Sequence, residues 1–102
     1  MEFDCSPKIG EVMDHHPTAL VIAKHTVAKQ SDMNEYIVLC AWNLGSPQGV
    51  EYVVWTMYAR QDEWMVEGGS YFRPEGDKVA FLRAVNKYAA RSGLDREMSI
   101  HA

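Results

Sequence analysis

The sequence predicts an α+β fold: a four-stranded antiparallel β-meander with a C-terminal α-helix packed on one face. Three observations carry that expectation. Residues 36–42 (YIVLCAW) and 52–58 (YVVWTMY) are β-rich and apolar at nearly every position. Polar turn clusters, too short for the crossover of about a dozen residues that parallel strands need, separate the strand segments. Beyond Pro74 the period changes, and Phe81, Leu82, Val85, Tyr88 and Ala89 fall on one helical stripe.

Taken in order, Ser6 and Pro7 resemble a helix start, with Ser as N-cap and Pro at the first helical position. Ile9, Val12 and Met13 follow at helical spacing, so a short N-terminal helix over residues 7–15 is expected, weakened by Gly10 and ended by Pro17. An irregular arm or edge strand is the alternative. Residues 19–28 (ALVIAKHTVA) alternate as a strand, Val21, Ala23, His25 and Val27 against Leu20, Ile22, Lys24 and Thr26. A turn cluster at 30–34 leads to a strand over 35–43, and a Gly-Ser-Pro-Gln-Gly loop leads to the next over 51–60. Gln61, Asp62 and Glu63 make a reversal into the fourth strand, 64–72, where Gly68 and Gly69 mark a bulge or a close backbone approach. Asp77 then caps a helix that runs to about Ser92 and ends at Gly93, and residues 94–102 form a tail. The expected core includes Val38, Cys40, Val54, Phe81, Leu82 and Val85.

A chain of 102 residues, 47% apolar and 24% charged, suits one soluble globular domain spanning residues 1–102. The net charge is −4, unevenly spread: residues 1–72 hold ten acids and four bases, residues 73–102 four acids and six bases. That balance argues against broad contact with a phosphate backbone. Cys5 and Cys40 are far apart, and one pair is no disulfide framework, so free thiols in a reducing compartment are expected. The N-terminus lacks a basic region followed by an apolar run, and no apolar segment approaches the roughly 20 residues of a membrane span. The cytoplasm is the expected location.

Motifs for chemistry are weak. Asp14, His15 and His16, with His25 as a third ligand, invite a metal, yet adjacent residues diverge on a helix or a strand, whereas zinc helices place histidines at i and i+4. His101 lies in the expected tail. Cys5, Cys40 and Ser70 occupy no nucleophile turn, and Asp62 and Glu63 are neighbours in a solvated reversal. Glu67-Gly68-Gly69-Ser70 lacks the lysine and following helix of a phosphate loop. No cofactor, no metal and no catalytic residue is therefore expected, and nucleic acid and membrane are not expected partners.

The aromatic residues are the least ordinary feature. One helix covers one sheet face, so the other face needs a partner, a second copy or a ligand, unless strand curvature and the N-terminal arm bury it within one chain. The interface expected on that face comprises Trp42, Val53, Trp55, Met57 and Trp64. Arg83, Lys87 and Arg91, at i, i+4 and i+8, form a second, electrostatic contact on the outward side of the helix, where the ordinary alternative is a solvated face. The resulting expectation is a small non-enzymatic protein-interaction module, homodimeric or bound to another protein and acting by occupying a partner's surface. The alternative is a small-molecule binding domain with its pocket between sheet and helix. Length, charge and layout are like those of small phage and bacterial accessory proteins, inhibitors included, an analogy of size and style with no motif behind it.

Overall fold

The computed structural model describes residues 4–14, 16–30, 32–45, 49–74 and 78–94. Among the described residues five strands and one helix follow in chain order: β1 (Val12–Met13), β2 (His16–Lys29), β3 (Asn34–Gly45), β4 (Gly49–Ala59), β5 (Trp64–Phe72) and α1 (Val79–Ser92). The strands form one antiparallel sheet in the order β1-β2-β3-β4-β5, curled into half a barrel. The α+β meander with its C-terminal helix is thus as expected, but among the described residues the sheet has five strands rather than four.

The fifth strand comes from the segment read as a helix. Residues 7–15 are not helical where described. Ser6 and Pro7 do not open a helix; Gly10, at φ +90°, turns the chain, and Val12–Met13 pairs with β2. The Gly10 N–H donates to the Val21 carbonyl at 2.8 Å, and the Val21 N–H to the Glu11 carbonyl at 3.0 Å. Helical spacing over so few residues is outweighed by a neighbouring strand edge with free backbone groups.

Side-chain alternation along β2 is broken twice. Val21 lies opposite Cys40 and Ala23 opposite Leu39, and Thr26 and Ala28 likewise lie opposite adjacent residues of β3. Ile22 and Val27 are the extra residues, so each bulge switches the face to which the following side chains point. On β5 the bulge expected at Gly68 and Gly69 is present. Trp55 alone stands between the pairs Val54–Ser70 and Thr56–Glu67, while β5 supplies two residues over the same span. Gly68 takes φ +63°, which glycine adopts without a Cβ penalty. Gly69 is needed for space, since a Cβ there would lie 2.7 Å from Trp55 Nε1 and 2.7 Å from the Tyr71 ring.

Both sheet faces are apolar, and each has its own cover. On one, Ile37, Leu39, Val54 and Tyr52 pack against α1. The helix turns Ala80 and Ala84 fully toward the sheet, with Val85 and Tyr88 half-buried beside them. Phe81 and Leu82, expected in the core, are instead 39% and 56% exposed, and Val85 is only partly buried. Small side chains let helix and sheet approach closely, which displaces the large neighbours to the flanks. Phe81 there meets the Tyr52 ring edge-on at 5.3 Å. The helix starts with Lys78 in the cap position, its expected cap Asp77 lying outside the described residues, and ends as expected at Gly93, whose αL backbone (φ +79°) returns an N–H to the Ala90 carbonyl. Of the tail expected at 94–102, Leu94 is described, half-buried beside the helix end, and residues 95–102 lie outside the described residues.

On the other face Val38, Cys40, Val53, Trp55 and Met57 form the larger cluster, closed by the curl of the sheet and by the arm of residues 4–14. Met13 enters it fully buried, its Sδ 3.8 Å from Cys40 Sγ. A polar latch pins the start of the arm. Asp4 accepts hydrogen bonds from the Ser6 N–H at 2.8 Å, the Ser6 hydroxyl, Asn34 Nδ2 at 3.1 Å and the Tyr36 hydroxyl. Lys24 Nζ donates to Ser6 Oγ and to the Pro7 carbonyl, both at 2.9 Å, and lies 4.1 Å from the centre of the Tyr36 ring. Among the described residues, no helix is long and apolar enough to cross a membrane.

Candidate functional site

The register brings two reversals to the same end of the sheet, because Asn34 pairs with Ala59 and Ala59 with Trp64. The turn before β3 is closed by the Gln30 N–H on the Met33 carbonyl at 2.9 Å, and the turn before β5 by the Arg60 N–H on the Glu63 carbonyl at 2.8 Å. Between them opens a cleft of about 430 Å³ lined by Met33, Tyr58, Arg60, Glu63, Trp64, Met65 and Glu67. Two thioethers, an indole and a phenol make its apolar surface, and Met65 is 53% exposed.

Charge in the cleft is uneven, with Glu63 and Glu67 against Arg60. The Tyr58 hydroxyl is hydrogen-bonded to Glu67, and that bond, followed by burial and the charges of Glu67 and Glu35, holds the phenol above its ordinary pKa, with Arg91 opposing. The bond sets the Tyr58 hydroxyl beside the Glu67 carboxylate in the cleft lining.

Arg91 reaches the same region from the helix and is not the outward base expected. Its guanidinium enters the β5 bulge, Nη1 donating to the Val54 carbonyl at 2.7 Å and the Gly68 carbonyl at 2.8 Å, and Nη2 to Thr56 Oγ1 at 2.6 Å. It thus gives charged hydrogen-bond donors to carbonyls on both strands at the bulge. Arg83 and Lys87 are exposed, and Arg83 borders a second depression of about 230 Å³ with Tyr71, Phe72, Arg73, Pro74 and Ala80.

The expected interface residues separate. Val53 and Met57 are fully buried and Trp55 is buried at 3% exposure, so the contact face expected for self-association lies inside the protomer. Trp42 and Trp64 are half-buried against the same cluster, and Trp64 also lines the cleft. Of the expected site residues, Trp64 alone is among those lining the cleft, with Arg91 close by. Glu63 and Glu67 stand in the sequence only as parts of other weak motifs, and nothing in the spacing of Met33, Tyr58, Arg60 and Met65 joins them to one site, since turn and strand ends bring all of them together.

Among the described residues, no three His, Cys, Asp or Glu side chains converge to hold a metal ion. His15 and His101 lie outside the described residues, and His25 is half-buried on β2. Burial pushes the Cys40 thiol up to about 12, the opposite of what a nucleophile requires. Comparison with protein-family models, curated proteins and solved structures finds no match.

Proposed function

We propose that this chain is a non-enzymatic binding module that acts by occupying the surface of a protein partner, and that its recognition surface is the cleft between the two reversals. The observation that carries this reading is an open apolar cleft with a polar rim, floored by adaptable methionines beside Tyr58 and Trp64. Methionine and aromatic side chains are favoured at protein-binding surfaces because they offer large contact area and repack around different shapes. The acidic balance of residues 1–72 speaks for a protein rather than a phosphate backbone as partner. Self-association through Trp55 is not part of this reading, because that side chain is in the core.

A small molecule is the second reading, since about 430 Å³ lies within the range of roughly 300 to 1,000 Å³ common for ligand sites. More than half of the Met65 surface faces solvent, which suits a protruding segment better than an enclosed ligand. Affinity capture from lysate of the source cells tests the choice. A protein retained by wild type and lost by Met65→Asp, with an unchanged circular dichroism spectrum, supports the cleft. Equal retention by Met65→Asp and loss by Leu82→Asp would move recognition to the flank of α1.

A further inference from the structure

We infer that the cleft takes an arginine-bearing segment of its protein partner, with the guanidinium between Glu63 and Glu67 and an adjacent apolar residue on Met33 and Met65; this rests on the binding function proposed above. The lining supplies both halves of such recognition. Two carboxylates stand against one base, and Glu35 lies close enough to Tyr58 to act on its phenol, so the field at the cleft favours a cation. Arg91 does not offset this fully, because its guanidinium is engaged by the Val54 and Gly68 carbonyls and Thr56.

The apolar half selects among cations. A hydrated inorganic ion gains nothing from thioethers and rings, whereas an arginine lays its methylene stem on them and keeps its charged head at the rim. A planar guanidinium also stacks on an aromatic ring and pairs with a carboxylate through two parallel hydrogen bonds, which an ammonium does not. The volume of about 430 Å³ and the open mouth accommodate neighbouring residues as well as the arginine, consistent with a segment rather than an isolated side chain.

Selection of a random peptide library displayed on phage against the immobilised protein tests the inference. The expected result is a consensus with arginine beside an apolar residue. Synthetic peptides of that consensus should lose about tenfold or more in affinity for the Glu63→Gln/Glu67→Gln double variant, as removal of charge-assisted hydrogen bonds implies. Thermal melting identical to wild type establishes that the variant is folded. A consensus without basic residues whose binding is lost in Met65→Asp overturns the arginine and leaves the cleft as the binding surface. Peptides that bind Met65→Asp as well as wild type, or no selected peptide at all, overturn both. Free arginine amide competing as strongly as the peptide overturns the segment in favour of a small cation.

Discussion

Arg91 of the helix and Gly68 of the edge strand are joined through a guanidinium-to-carbonyl hydrogen bond of 2.8 Å across a β-bulge. The same Nη1 takes the Val54 carbonyl on the neighbouring strand, so one side chain ties α1, β4 and β5 together. Arg91→Ala should cost about 1.5 to 3 kcal/mol, the range for hydrogen bonds to a charged group. Arg91→Lys should recover only part of this, because an ammonium keeps the charge but not the fork. Urea denaturation of the three proteins checks both statements, and equal midpoints for wild type and Arg91→Ala would remove the guanidinium from the stability of the fold.

Burial on the helix predicts an inverted response to substitution. Leu82→Ala should shift stability by no more than about 0.5 kcal/mol, since Leu82 lies on the exposed flank. Ala84→Leu should cost about 1 to 3 kcal/mol by overpacking the fully buried contact with the sheet. On the other face, Trp55→Glu should give an unfolded chain rather than a folded protein with altered association, because the carboxylate would sit in the core. Thermal melts followed by circular dichroism read all three.

The latch at Asp4 predicts weakening in acid. Burial pushes its carboxyl up, but the hydrogen bonds from Ser6, Tyr36 and Asn34 together outweigh burial and hold it well below its ordinary value of 3.8. A carboxylate lowered in the folded state contributes stability that is fully present above the unfolded pKa and lost as pH falls through the folded one. The stability difference between wild type and Asp4→Asn should therefore be constant above about pH 4 and shrink below it. Denaturation midpoints across that window measure it; a difference independent of pH would show that the charge of Asp4 is not what pins the arm.

The two thiols should react in sequence. Cys5 is partly accessible, whereas Cys40 is fully buried and pushed up to about 12 by that burial. A chromogenic disulfide reagent should modify one thiol in the native protein and the second only on unfolding. Rapid native modification of both, located by peptide mapping, would contradict the packing of Met13 on Cys40. The sign for stability follows: the unfolded thiol ionises above its ordinary 9.0 while the folded one does not, so stability should fall as pH rises from there toward 12.

Long-range strand structure was readable from residue type, because runs such as Ile37, Val38 and Leu39 or Val53 and Val54 suit strands covered on both faces. Gly68 and Gly69 announced their bulge for a local reason, a backbone that other residues resist. What the bulge requires, a guanidinium from Arg91 far along the chain, follows from three-dimensional register and leaves no trace in spacing. Ser6 and Pro7 misled because they satisfy the local rules of a helix start while tertiary pairing of Val12 with Leu20 takes the segment into the sheet. Phe81 and Leu82 misled for a related reason. Helical periodicity locates an apolar side but does not say that alanines, by letting the backbones close up, occupy its centre. The cleft draws on Met33, Tyr58 and Glu67 from three separate segments, so only the fold could assemble it.

The glycine pair on β5 has a consequence for solubility. Among the described residues β5 is an outermost strand, and a long flat outer strand is a template on which other chains can stack into fibres. Here the ladder is interrupted near its middle, and the bend twists the exposed backbone away from the straight line that stacking needs. A chain with two apolar sheet faces thereby carries an irregular edge of the kind that disfavours edge-to-edge stacking, and its bend includes the same Gly68 that Arg91 bonds.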